Sequence, residues 1–296
     1  MKSFLYHTLI FAFAILILLG AAEYYVRSLP NPSRDKHAWM LKHSKEVRTL
    51  VLGSSQTFYG VNPAFLGEGA YFLAQVSQTY RYDCYLLQHY PFPHLRYVIL
   101  PFSFFSLYED FESQNDYTYV VRYRLYMDCD LHSRLSKAGF ECLQKSAFLE
   151  KLKSLWKRPQ LEWDRNTGFG VYRFENRKKE WNDASLKIKK DTYEKLQYMD
   201  LNEAYLNEIL QFCARRDIKV LWITPPVSRS YYKLENARQK SQNRKVMKQI
   251  LKRWNDVIYL DFEQDKRFKG EDFYDATHLN TKGAEKLACL LRPYLK

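Results

Sequence analysis

Five short apolar runs alternating with helix-length stretches constrain this fold more than any other feature of the chain. They are Thr49–Leu52, Ala70–Ala74, Tyr97–Leu100, Lys219–Ile223 and Val257–Leu260. Runs this short suit buried strands better than helices, and several stop at turn formers such as Gly53, Pro101 and Pro225. Helical signals lie between them. Tyr80–Tyr90 and Asn236–Trp254 read as helices, and Leu206, Ile209, Leu210 and Cys213 recur at i, i+3, i+4 and i+7. Ala284, Leu287, Ala288 and Leu291 define a closing helix with Asn280 or Thr281 as its N-cap. The alternation predicts an α/β fold with about five parallel strands covered on both faces. In such sheets, sites form at the carboxyl ends of the strands.

Residues 111–190 break the alternation and read as an inserted, mostly helical cap. Trp156, Trp163 and Trp181 lie there among tyrosines and clustered lysines. That mixture suits a carbohydrate or acylated carrier, and equally an aromatic layer packed on the sheet.

Phe4–Ala22 is a nearly unbroken apolar run behind Lys2, long enough to cross a bilayer. With Lys2 as the positive flank, residues 23–296 would lie outside the cytoplasm. Gly20-Ala21-Ala22 also offers a cleavage site, so an anchor and a secretory signal both remain open. The expected organisation is 1–23 anchor or signal, 24–46 polar stalk, and 47–296 the α/β domain with its insertion at 111–190.

The net charge of +13 spreads through Lys145–Lys190 and Arg229–Arg253. An exported domain has no access to cytoplasmic nucleic acid, so the charge suits anionic lipids, acidic glycans or simple solvation of helix faces. No pair among Cys84, Cys129, Cys142, Cys213 and Cys289 has Cys-x-x-Cys spacing, so a zinc site or a thioredoxin-like motif is unsupported, and no metal or cofactor is expected. Cys84, Cys213 and Cys289 fall at apolar helical positions and read as buried. Cys129 and Cys142 flank a polar segment and could pair in an oxidising compartment.

The chemistry concentrates at two places. Leu52-Gly53-Ser54-Ser55 ends the first apolar run in a serine-bearing turn. Ser55 is the candidate nucleophile, presented at a strand-to-helix turn whose N–H groups can face an oxyanion. Ser54 is its competitor, or a structural N-cap. Asp275 stands three residues before His278, close enough to fix the imidazole tautomer and leave the far nitrogen free to accept the Ser55 proton.

Val51-Leu52-Gly53-Ser54-Ser55 together with Asp275-x-x-His278-Leu279-Asn280-x-x-Gly283-Ala284 resembles the first and last blocks of SGNH (GDSL-like) hydrolases. Membrane-anchored relatives of the teichoic-acid D-alanylation and alginate O-acetylation type are the nearest in pattern. The resemblance covers 46–110 and 190–296 and implies a flavodoxin-like three-layer sandwich with Ser55, Asp275 and His278 as its triad. Where that family carries an oxyanion glycine and a Gly-x-Asn-Asp asparagine, this chain reads Leu73–Gln78 and Leu100–Phe104. Ser77, through its backbone, and Ser103, through its hydroxyl, are the substitutes available.

The resemblance implies an O-acyl esterase or acyltransferase acting on a cell-envelope glycan. Its partners would be the membrane, an acylated glycan or acyl donor, and a membrane-bound acyltransferase. The competing reading is a non-catalytic glycan-binding or assembly protein that keeps the scaffold.

Overall fold

The computed structural model describes residues 1–111, 117–129, 139–143, 148–149, 151, 163–171 and 184–295. In chain order the elements are helices α1 (Lys2–Ser28) and α2 (Pro32–His43), then strand β1 (Thr49–Val51) and the single turn α3 (Ser55–Phe58). Next come β2 (Ala70–Phe72), α4 (Tyr80–His89), β3 (Tyr97–Pro101), α5 (Tyr117–Tyr126), α6 (Ala184–Asp191) and α7 (Met199–Arg215). The remainder is β4 (Lys219–Thr224), α8 (Arg229–Leu234), α9 (Ala237–Arg253), β5 (Ile258–Asp261) and α10 (Thr281–Leu291).

All strand pairings are parallel, in the order β2-β1-β3-β4-β5. This is the flavodoxin-like doubly wound order, which leaves a crevice where the winding reverses between β1 and β3. The three residues of β1 and the five of β3 are all buried, as expected for strands covered on both faces. Val51, Ile99, Leu221 and Ile223 pack with Ala284, Leu287, Ala288 and Leu291 of α10 on one face. Their neighbours Leu50, Val98, Leu100 and Trp222 point to the other face and are equally inaccessible.

The apolar periodicity of α7 is realised, with Leu206, Ile209, Leu210 and Cys213 all buried. Asn280 is the cap of α10, its Oδ1 accepting the Gly283 N–H at 3.0 Å. Cys84 and Cys213 are buried as expected, but Cys289 is exposed, because its position on α10 falls on the solvent side of a helix whose other face fills the core. Cys129 and Cys142 are free thiols.

The described residues divide into two compact units, one of 1–34 with 111–161 and one of 35–110 with 162–296. In the first, α1 is long and apolar enough to anchor in a membrane or act as a signal. There Glu23 accepts the backbone N–H groups of Glu141 and Cys142, each at 2.9 Å. The sheet and the two motif blocks belong to the second unit. Within it, most of α2 is not bare polar chain, since Lys36 and Met40 are buried. Much of 111–190, including Trp156 and Trp181, lies outside the described residues. Trp163 is described and packs with Phe58 and Ala74.

Candidate active site

The Ser55 turn begins where β1 ends. Gly53 adopts φ +102°, and a Cβ there would meet Pro101 Cγ at 2.1 Å, so only glycine fits. Thr57 Oγ1 donates to the carbonyl of Leu52 at 2.8 Å, closing the turn from the α3 side. Because α3 spans only four residues, it contributes individual N–H groups rather than a helix-scale dipole. The backbone N–H groups of Ser55 and Ser77 have no protein acceptor among the described residues.

The second half of the site is the loop before α10. An isolated antiparallel bridge between Phe273 and Leu279 pinches it, and the Tyr274 N–H donates to the His278 carbonyl at 2.8 Å. Gly283 is again a packing requirement, since a Cβ would lie 2.1 Å from the Asp272 carbonyl oxygen. Asp275 Oδ1 accepts the N–H groups of Thr277 and His278, both at 2.9 Å.

His278 joins the two halves. Its Nδ1 lies 2.9 and 2.8 Å from the two Asp275 oxygens, and its Nε2 lies 2.8 Å from Ser55 Oγ. An ionised carboxylate can only accept, so the ring proton sits on Nδ1 and leaves Nε2 to accept the serine O–H. Burial alone would raise the Asp275 carboxyl. Hydrogen bonds from the His278 ring and from the Thr277 and His278 backbones, with the attraction of the ring whenever it is protonated, outweigh that and hold it at about 2. The His278 side chain keeps 13 % of its surface and Asp275 30 %, so the pair is sheltered but reachable. Tyr59 meets the imidazole edge-on, ring centres 6.2 Å apart.

The other two candidates sit differently. Ser77 adopts φ +56° in a turn closed by Gln78 N–H donating to the Gln75 carbonyl at 3.1 Å. Ser103 is buried, and its hydroxyl donates to Gln56 Oε1, so that proton is already committed. Gln56 was not singled out in the sequence. It is buried one residue after Ser55, and its Nε2 donates to the Thr277 carbonyl at 3.1 Å, bracing the serine turn against the histidine loop. Asp83 was missed as well. It falls three residues after Tyr80, on the helix face shared with Cys84 and Leu87, where a carboxylate is out of place without a partner.

Phe273 also lines a cleft of about 690 Å³, together with Val227 and Phe268. Arg229, Lys266 and Lys269 line it with no ion-pair partner among the described residues, whereas its carboxylates Asp265 and Glu263 are held by Arg267 and Lys240. No cluster of metal-binding side chains occurs among the described residues.

No curated protein sequence matches this chain. Among solved structures, a provisionally assigned platelet activating factor from Streptococcus pneumonia is similar at 11 % identity and TM-score 0.45, over 96 % of this chain and 99 % of the other. A provisionally assigned acylhydrolase from Bacteroides fragilis NCTC 9343 is similar at 12 % identity and TM-score 0.41, over 94 % and 95 %. Both likenesses are too distant to bear on activity. The family profile described as "Protein of unknown function (DUF1574)" matches residues 92–294, a span that holds Asp275 and His278 but not the Ser55 turn. That match extends over more than half of the 296 residues, and the chain belongs to this family.

Proposed function

We propose that the chain is a serine O-acyl esterase or acyltransferase of the SGNH type, acting on a cell-envelope glycan. The observation that carries this reading is the unbroken hydrogen-bond chain Ser55 Oγ–His278 Nε2, His278 Nδ1–Asp275, with links of 2.8 and 2.8 Å. In the proposed first step Ser55 Oγ attacks the acyl carbonyl carbon as its proton passes to His278 Nε2. The carbonyl oxygen takes up the negative charge. Collapse breaks the bond to the alkoxide leaving group, which receives the proton from His278. Water or a sugar hydroxyl then attacks acyl-Ser55 by the same route in reverse. Asp275, held ionised, keeps the imidazole in the required tautomer and offsets the charge of the imidazolium. Ser55 and Ser77 would supply backbone N–H groups to the oxyanion, while Ser103 acts behind them through Gln56.

The unpaired cations Arg229, Lys266 and Lys269 in the cleft lining, whose carboxylates are already paired, support an anionic polymer as the substrate. The apolar α1 behind Lys2 supports an anchored or exported protein with its catalytic unit outside the cytoplasm. Protease added to intact spheroplasts should digest that unit if this orientation holds, and protection would reverse it.

The chemical test is to trap the intermediate. Brief acid quench during turnover of an activated acetyl ester should leave an acetyl group on the peptide carrying Ser55, and His278→Ala should leave none. A folded protein that never acylates would favour the non-catalytic binding role.

A further inference from the structure

Two turns have to be held in register for the proposed chemistry, and one buried carboxyl touches both. Asp83 is 1 % exposed in the first turn of α4. Its Oδ1 accepts the Gly53 N–H at 2.7 Å, two residues before Ser55. The same oxygen accepts Gln78 Nε2 at 2.6 Å, one residue after Ser77. A second link runs directly between the turns, where Gln75 N–H donates to the Gly53 carbonyl at 3.0 Å. The helix that carries Asp83 also grips the far side of the glycine. Tyr80 Oη donates to the Pro101 carbonyl at 2.8 Å, and the Pro101 ring closes over Gly53.

The backbone at Ser77 explains why such a clamp is needed. A serine at φ +56° is strained against an ordinary turn and persists only where its surroundings over-determine it. Gln78, fixed at its side chain by Asp83 and at its backbone by Gln75, supplies that constraint on the residue beside it. Burial pushes the Asp83 carboxyl up to about 7, against the lowering effect of the Gln78 and Gly53 hydrogen bonds. Retaining so unfavourable a group indicates a role that an apolar side chain could not fill.

We propose that Asp83 is a positioning residue that locks the Gly53–Ser55 turn to the Gln75–Gln78 turn and so fixes the Ser55 and Ser77 N–H groups around the oxyanion. The inference rests on the serine-acyl reading above.

The test is the inactivation kinetics of a fluorophosphonate, whose phosphoryl oxygen occupies the oxyanion position, measured on the full chain. Asp83→Ala should lower the maximal inactivation rate by about 10–100-fold, short of losing a whole donor, while the probe's dissociation constant changes less than about threefold. Asp83→Asn keeps an oxygen acceptor in the same place and should restore the rate to within about threefold of wild type. Gln78→Met removes one arm of the clamp and should slow inactivation even if Asp83→Ala fails to fold. Wild-type rates in Asp83→Ala, or in Gln78→Met should Asp83→Ala not fold, would overturn the clamp. Equal losses in the Ala and Asn variants would also overturn it, since the effect would then belong to charge rather than to the acceptor. Failure of the wild-type protein to react with the probe sinks the serine-acyl reading itself, a result separate from any of these.

Discussion

His278 Nε2 and Ser55 Oγ lie 2.8 Å apart although 223 residues separate them in sequence. Parallel winding explains the encounter, because it brings the carboxyl ends of β1 and β5 and their following loops to one edge of the sheet. The alignment depends on backbone positions that tolerate no side chain.

Gly53 is the sharpest of those positions. Gly53→Ala should destabilise the protein by about 3 kcal/mol or more, since it adds a steric clash with Pro101 to an unfavourable φ. Gly67 has a similar φ of +105° with open space around it, so Gly67→Ala should cost only about 1 kcal/mol. Denaturant unfolding of both variants reads the difference. Equal costs would show that the Pro101 contact is not rigid.

Acid stability should report on Asp275. Its carboxyl is depressed to about 2, below the ordinary value of an unfolded chain near 4. The stabilisation it gives is therefore complete above about pH 4 and is lost as pH falls through about 2. Asp275→Asn should flatten that limb of a urea-midpoint profile measured between about pH 2 and 5 at fixed ionic strength. Profiles of the same shape in wild type and variant would mean that the carboxylate gains nothing from the His278 ring or from the Thr277 and His278 backbone N–H groups.

The cleft beside Phe273 should set substrate charge preference. Lys266→Glu with Lys269→Glu should raise KM for an anionic acylated polymer on the order of tenfold. Turnover of a small neutral acetyl ester should stay within about twofold, because such a substrate carries no charge for the lysines to attract and neither lysine takes part in the Ser55–His278–Asp275 hydrogen bonds. A matching loss on both substrates would point to damage at Ser55 or His278 instead.

Much of this arrangement is legible in the chain. Four of the five strands fall within a residue of their apolar runs, since a fully buried parallel strand leaves a continuous signature such as Tyr97–Leu100, while β2 stops at Phe72, two residues short of Ala74. Asp275 and His278 are readable because a carboxylate–imidazole contact at i, i+3 is local. Long-range bracing is not. Nothing in the sequence links Gln56 to Thr277, or Asp83 to Gly53, because those pairs meet only after the sheet has formed. Ser103 shows the same limit. Its hydroxyl looks available at the end of β3, yet the fold delivers Gln56 to accept its proton. Cys289 misleads differently, since on an amphipathic helix one step of about 100° separates a core position from an exposed one.

If Ser55 is an activated nucleophile, a fluorophosphonate should bind it covalently. Wild-type protein should be labelled at Ser55, with labelling abolished in Ser55→Ala and in His278→Ala. Ser54→Ala should retain most of it, although Ser54 is the immediate neighbour and its buried hydroxyl has no partner among the described residues. The double variant Ser55→Ala, His278→Ala should be no worse than either single one, because both remove the same step. Labelling that survives Ser55→Ala and disappears in Ser54→Ala, or folded wild-type protein that never reacts, would rule out Ser55 as the nucleophile.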